Sequence, residues 1–343
     1  MVHERHQFFW ESTTLEGDPL CFVDRGSATS SASLLFPPQR LISLRTAAGD
    51  VEFEEGRDFT LDAKAGVVTR TSDSRIPCTS LEELYSSGEP LCEEGDFFHR
   101  RQVCASYTHR AGSWAGPEPR FRGDDVPRTI TLLRAGEPLT IVVTGDSISE
   151  GYNASGFVGV PPYRPPYVDQ IVAGLTGEYG SPIALHNLSS AGWTSDNGLG
   201  DVERVALSHP DLVIVAFGMN DSGYASAGDF AANIAGILRE VRRSAEDAEF
   251  VLVSPMLPNP EWDYPVLERF GEYRDALDGL CGAGVILADV TATWRELLTR
   301  KSVYDLTGNG INHPNDFGHR VYADAVLATV LPPAGSRRTW SGS

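Results

Sequence analysis

From residue 138 onward, the sequence alternates unbroken apolar runs with segments whose apolar residues recur at helical spacing. This alternation predicts a parallel sheet with helices on both faces, because every strand is then buried on both sides and each return connection is a helix. The fold class is therefore α/β. We expect strands at 139–147, 183–192, 211–221, 249–257 and 284–291, and helices at 165–180, 200–208, 229–247, 265–281 and 316–331.

Residues 1–135 follow a different pattern, in which short apolar runs are separated by Gly, Pro, Ser and Asp. The runs include "LCFVD", "SASLLF", "LISLRT", "DFTLD" and "GVVTRT". Such spacing predicts antiparallel β structure, a sandwich or small jelly roll, with no long helix. The segment "SSGEPLCEEGDFF" is typical of a loop. We therefore expect two domains: a β-sandwich at 1–135 and an α/β domain at 136–343.

The net charge of the 343-residue chain is -19. This charge argues against a nucleic acid partner, whose phosphates require Lys and Arg, and against an anionic membrane surface. There is no apolar window of about 18 residues, and the first residues lack the apolar core of a signal peptide. We expect a cytoplasmic protein, or a secreted one whose signal has been removed. The sequence does not indicate an oligomeric state.

The five cysteines do not form a metal-binding pattern, because no two of them have C-x-x-C spacing. We therefore expect no metal and no cofactor. Four cysteines lie in the first third of the chain, where one or two disulfides and reduced thiols are both compatible with the sequence. The cysteines are Cys21, Cys78, Cys92, Cys104 and Cys281.

Four polar or glycine positions fall where expected strands end: Ser147, Gly192, Asn220 and, in the loop after the fifth strand, His313. Open parallel sheets collect functional residues outside the carboxyl ends of their strands. A serine needs a nearby base to become a nucleophile, and the oxyanion formed by its attack needs preorganised donors. Each position alone is more often a turn, a cap or a structural residue. Together they predict a nucleophile (Ser147), a base (His313) and an oxyanion hole (the N–H of Ser147 and Gly192, and the Asn220 amide).

Four short blocks carry a family resemblance. In order, "GDSISEG", the glycine of "SSAGWTS", "GMND" and "NHPN" resemble the blocks of the SGNH/GDSL hydrolase superfamily. The resemblance implies a flavodoxin-like three-layer fold of strand order 2-1-3-4-5 and ester hydrolysis through an acyl-serine. A β-sandwich followed by such a domain also resembles certain bacterial carbohydrate acetylesterases, which remove acetyl groups from plant polysaccharides.

The chain departs from this family pattern at one position. The family usually has Asp three residues before the histidine, and here that residue is Gly310. We expect a main-chain carbonyl in the preceding loop to orient His313, since the glycines there free the backbone to turn. Asp305 is the alternative, and Asp316 is better placed as the N-cap of the final helix. The expected catalytic group is thus a Ser147–His313 dyad.

The segment after the serine is rich in aromatic residues that could stack on a sugar ring or simply pack on one another. They include Tyr152, Phe157 and Tyr163, and Trp193 follows the second strand. No apolar run suggests the lid of a lipase.

The favoured hypothesis is a serine esterase that removes acetyl groups from a carbohydrate, with a small-molecule, oligosaccharide or polysaccharide ester as its substrate. The β-sandwich at 1–135 would then be an accessory domain that helps to shape the substrate cleft of the catalytic domain at 136–343. The alternatives are a short-chain esterase or thioesterase for small molecules, and a non-catalytic carbohydrate-binding protein.

Overall fold

The structure, a computed structural model, describes residues 6–26, 29–85 and 88–333. The first part of the chain forms short strands in three small sheets, with orders β1-β8-β4, β3-β6-β5 and β2-β7. The first two sheets are antiparallel. The strands are β1 (Thr14–Cys21), β2 (Val23–Asp24), β3 (Ser31–Ser33), β4 (Pro38–Thr46), β5 (Phe59–Asp62), β6 (Val67–Arg70), β7 (Thr79–Ser80) and β8 (Gln102–His109).

Strand β8 lies at the centre of its sheet, between β1 and β4. Its side chains alternate between buried and half-buried positions, with Val103, Ala105 and Tyr107 facing the core. This two-residue period is that of a strand with one face against apolar residues. The expectation of a β-rich first part is therefore confirmed, and residues 6–109 are called the N-terminal region below.

The second part of the chain contains a five-stranded parallel sheet. Its strands are β9 (Leu139–Gly145), β10 (Ile183–Asn187), β11 (Leu212–Ala216), β12 (Glu249–Val253) and β13 (Val285–Ala288). Their spatial order is β10-β9-β11-β12-β13, which is the expected order 2-1-3-4-5. Strands β9, β11 and β12 are buried almost throughout, as required of strands covered on both faces. The predicted α/β fold class is confirmed.

The described residues form helices in both parts of the chain, and two short 3₁₀ turns at His99–Arg101 and Asp221–Gly223. The helices are α1 (Leu81–Leu84), α2 (Pro127–Ala135), α3 (Ser147–Glu150), α4 (Ser155–Val158), α5 (Tyr167–Tyr179), α6 (Ser195–Gly200), α7 (Val202–Leu207), α8 (Ala227–Ser244), α9 (Glu268–Gly279), α10 (Val290–Leu297), α11 (Val303–Leu306) and α12 (Asp316–Val330).

Helix α2, of nine residues, lies at the end of the range that the sequence predicts to be β structure without a long helix. A proline at its first position and Gly136 in the left-handed conformation at its end fix its limits. The carboxylate of Glu249 in β12 accepts the N–H groups of Arg128 and Thr129, which have no acceptor within the helix. The helix packs against α5 and β9, on the sheet of the second part.

The N-terminal region and the sheet share one hydrophobic core, in which Phe9 and Tyr107 belong to the same buried cluster as Val143 and Val321. Helix α12 is buried along nearly its whole length because it packs against α5, α10, β13 and β1. Its Asp324 accepts the N–H of Phe9 at 3.3 Å and contacts His6 Nε2 at 2.7 Å. The two parts therefore pack through apolar side chains and buried polar contacts.

Candidate active site

Ser147 is the first residue of helix α3, directly after β9. The side chain of Asp146 caps this helix by accepting the N–H of Ile148, and Gly151 ends it in a left-handed conformation. This strand–turn–helix places the Ser147 hydroxyl at the carboxyl edge of the sheet, with 6% of the residue exposed. As the first helical residue, Ser147 has an N–H without an acceptor inside the helix.

His313 reaches the serine from the loop between α11 and α12. Its Nε2 lies 2.8 Å from Ser147 Oγ. The loop is held by Asn309, whose side-chain oxygen accepts the N–H groups of Ile311, Asn312 and His313, each at 3.0 Å. A bridge between Thr307 and Pro314 closes the loop. The predicted nucleophile and base therefore lie within hydrogen-bond distance of each other.

Two side chains contact the other ring nitrogen of His313. Its Nδ1 lies 2.8 Å from Glu94 Oε1, in the N-terminal region, and 3.2 Å from Asn153 Oδ1. The Asn153 amide donates to the carbonyls of Gly95 and Gly308, so its oxygen faces the imidazole. Both acceptors require a proton on Nδ1, which leaves Nε2 free to accept the serine proton.

The expectation that a main-chain carbonyl orients His313 is wrong, and so is the alternative of Asp305. The carboxylate of Asp305 accepts the N–H of Cys21 at 2.6 Å and of Ser302 at 2.7 Å, and it belongs to the cap of α11. Asp316 is not the N-cap of the final helix either. Asn315 fills that position, and Asp316 accepts the N–H of Ser155.

Gly192 and Asn220 lie in the loops after β10 and β11, the two neighbours of β9. Gly192 has a φ of +78° with open space where a side chain would start. The Asn220 amide donates one hydrogen to the Trp193 carbonyl at 2.9 Å, which leaves a second hydrogen for another acceptor. Buried Asp221 accepts the N–H and hydroxyl of Ser195, so the two loops are joined.

The family model of GDSL-like lipases and acylhydrolases matches residues 143–321. The chain belongs to this family. The GDSL assignment agrees with the position of Ser147 directly after β9. No curated protein sequence matches the chain.

Solved structures with this GDSL fold include a two-domain esterase described as active on acetylated mannans, with a TM-score of 0.50 and 20% identity over 66% of this chain and 57% of that one. The same esterase, co-crystallised with mannopentaose, has a TM-score of 0.49 and 22% identity over 62% of this chain and 54% of that one. The chain thus spans little more than half of that esterase. Axe2, an acetylxylan esterase from Geobacillus stearothermophilus, has a TM-score of 0.46 and 20% identity over 60% of this chain and 97% of that one.

Aromatic side chains border the GDSL site on the side of the segment that follows α3. The Tyr152 ring packs against His313 with centroids 5.1 Å apart and against Phe157 at 5.0 Å. Phe157 and Tyr163 are 45% and 62% exposed. On the side of the sheet where Asn220 lies, the Tyr264 hydroxyl donates to the Asn220 carbonyl, and its ring stacks on Trp262. Sequence reasoning did not identify Trp262 or Tyr264.

The GDSL site contains carboxylates in contrasting environments. Burial raises the pKa of Asp146 to about 7, and the nearby charge of Asp221 adds to the effect. Burial also raises the pKa of Asp221, against the hydrogen bonds from Ser195. Burial alone would raise the pKa of Glu94, but its hydrogen bond and charge interaction with His313 outweigh this, and the pKa lies below its usual value. Glu94 is therefore ionised at neutral pH.

Nothing in the described part of the GDSL chain brings together three His, Cys, Asp or Glu side chains as a metal ion would need. The five cysteines are free thiols. Within residues 6–26, 29–85 and 88–333, no helix combines the length and apolar character needed to cross a bilayer.

Proposed function

We propose that the protein is a serine esterase that removes acetyl groups from a carbohydrate. The observation that carries the proposal is the 2.8 Å contact between Ser147 Oγ and His313 Nε2, with both residues buried at the carboxyl edge of the sheet. A hydroxyl and an imidazole at this distance can exchange a proton during attack on an acyl carbon. Ser147 is the nucleophile and His313 the base in this proposal.

In the first half of the reaction, Ser147 Oγ bonds to the acyl carbon while its proton passes to His313 Nε2. The oxyanion is held by the N–H groups of Ser147 and Gly192 and by the free hydrogen of the Asn220 amide. When the tetrahedral species collapses, the carbon–oxygen bond to the sugar breaks and the sugar oxygen takes the proton from Nε2. In the second half, water attacks the acyl-serine and gives its proton to Nε2. Acetate leaves, and Ser147 regains its proton.

The exposed aromatic rings beside the site support a carbohydrate substrate, because sugar rings stack on such surfaces through their C–H groups. Phe157 is 45% exposed, and its ring packs against Tyr152, which in turn packs against the histidine. The structure of the two-domain esterase, described as active on acetylated mannans, suggests the same substrate class for this chain. That likeness concerns the fold, so acetylated mannans and xylans are substrates to be tested.

The experiment uses p-nitrophenyl esters of two to twelve carbons beside acetylated manno- and xylo-oligosaccharides. We expect acetyl esters to be cleaved fastest, and Ser147→Ala to lose at least about a thousandfold in kcat while its circular dichroism is unchanged. A fluorophosphonate should label the wild type and not the variant. If the variant keeps more than about a tenth of the wild-type rate, Ser147 is not the nucleophile. A chain-length maximum at eight or more carbons would exclude the carbohydrate substrate.

A further inference from the structure

The space that the family's usual orienting aspartate side chain would occupy is filled by residues of the N-terminal region. Gly310 occupies that position with a φ of +82°, which side-chain-bearing residues rarely adopt. A Cβ at Gly310 would lie 2.7 Å from the Leu91 carbonyl oxygen and even closer to the Phe98 ring. An aspartate there would require the segment 91–98 to move.

The same segment carries Glu94 to the histidine, with Oε1 at 2.8 Å from His313 Nδ1. Asn309, which shapes the histidine loop, also donates to Glu94 Oε1, at 3.0 Å. The N–H of Glu93 donates to the Asn309 carbonyl, and the Asn153 amide donates to the Gly95 carbonyl. The backbone on both sides of Glu94 is therefore fixed to the site.

A glutamine further along the chain strengthens this attachment. The Gln102 amide donates to the carbonyls of Tyr304 and Thr307, both at 2.7 Å, and its oxygen accepts from the Asn315 amide. Gln102 is itself buried, so these bonds are shielded from water. The histidine loop is thus held by the N-terminal region at both of its ends.

We propose that Glu94 is the positioning residue for His313, so that the N-terminal region completes a Ser147–His313–Glu94 triad. This inference rests on the proposed esterase function. Asn153 also contacts Nδ1, but at 3.2 Å and without charge. A carboxylate stabilises the imidazolium that forms when Ser147 attacks, which a neutral amide does less well.

The expected effect is smaller than in a protease triad, where loss of the buried aspartate's charge costs about four orders of magnitude. The Glu94 side chain is 45% exposed, so water screens its charge. Asn153 also remains as an acceptor when Glu94 is replaced. We therefore expect a loss of about tenfold to a hundredfold in kcat from removal of the charge.

The test compares Glu94→Gln and Glu94→Ala with Glu93→Gln, a matched control whose side chain is exposed beside the same backbone. The Glu94→Gln side chain keeps an acceptor but loses the charge. Its kcat on p-nitrophenyl acetate should fall about tenfold to a hundredfold with KM within about twofold. The acidic limb of its pH–rate profile should move to lower pH, because the imidazolium has lost an anionic neighbour.

Formate should partly restore the kcat of Glu94→Ala, since the Glu94 side chain is open to solvent. The kcat of Glu93→Gln should match that of the wild type.

Two results would overturn the role of Glu94. One is a kcat of both Glu94 variants within about threefold of the wild type with an unmoved acidic limb. The other is a large loss that neither moves the acidic limb of Glu94→Gln nor responds to formate in Glu94→Ala, which would indicate a structural effect alone. Failure of the esterase proposal looks different, because the wild type would then not turn over or Ser147→Ala would remain active.

Discussion

Replacing Lys301 with methionine tests how much the buried ionic contact between the two parts of the chain stabilises the fold. Lys301 lies between α10 and α11, and its Nζ is 2.9 Å from Asp18 Oδ1 in β1 and 2.7 Å from the Ser33 carbonyl. Both charged side chains are fully buried. The second oxygen of Asp18 accepts the N–H of Leu35 and the hydroxyl of Tyr107, each at 2.7 Å.

The magnitude follows from what remains after the substitution. Removing one partner of a buried ion pair typically costs about 3 to 5 kcal/mol, because the other charge is left without compensation. Two strong donors still serve Asp18 in Lys301→Met, so we expect the lower limit, about 3 kcal/mol in the free energy of unfolding. That is roughly a hundredfold in the folding equilibrium.

The assay is urea unfolding followed by tryptophan fluorescence and by esterase activity. Lys64→Met is the matched control, because Lys64 is the only other lysine and its side chain is exposed; it should change stability by less than about 0.5 kcal/mol. The double variant Asp18→Asn/Lys301→Met should be more stable than Lys301→Met, because it leaves no buried charge without a partner of opposite sign. The reasoning is refuted if Lys301→Met is as stable as the control, or if the double variant loses the sum of both single losses.

Two further predictions concern buried carboxylates. Asp305→Asn should keep kcat/KM within about tenfold of the wild type. It should lose about 1 to 3 kcal/mol of stability, because the Asp305 carboxylate accepts the N–H groups of Cys21 and Ser302. A loss above about a hundredfold in kcat/KM would make Asp305 part of the catalytic group. Asp146 has a folded-state pKa of about 7, above its unfolded value of 3.8, so its ionisation costs stability as pH rises between these values. The stability of Asp146→Asn relative to wild type should therefore increase from about pH 4 to pH 7 in paired urea titrations, and a constant difference would contradict this.

The sheet could be predicted from sequence because each of its strands is indicated by the pattern of its own residues. Runs such as the one ending at Ala216 are apolar at every position, and only a strand covered on both faces requires this. Because the carboxyl ends of parallel strands lie at one edge of the sheet, Ser147 and His313 are predicted to lie there without any knowledge of side-chain contacts. Helix α10 differs from the sequence-based expectation, which has a loop from β13 to the histidine.

Glu94 could not be predicted, since nothing in its neighbourhood distinguishes it from other acids in a polar loop. The segment "CEEGD" offers three acidic residues, and the one that meets His313 is selected by docking of the N-terminal region. Gly310 gave the only local signal, the absence of the usual aspartate. From that absence a backbone acceptor was inferred, whereas the structure supplies a carboxylate from far along the chain.

The contact between Phe9 and Asp324 has a consequence for how the chain matures on the ribosome. The two residues are 315 positions apart, and at 5–20 residues per second roughly 15 to 60 s separate their synthesis. During that interval the first strands have left the ribosome, but helix α12, which belongs to the same core, does not yet exist. Nascent chains should therefore present uncovered apolar surface to chaperones until helix α12 emerges, and the strands around Phe9 reach their final structure only after that helix has been made.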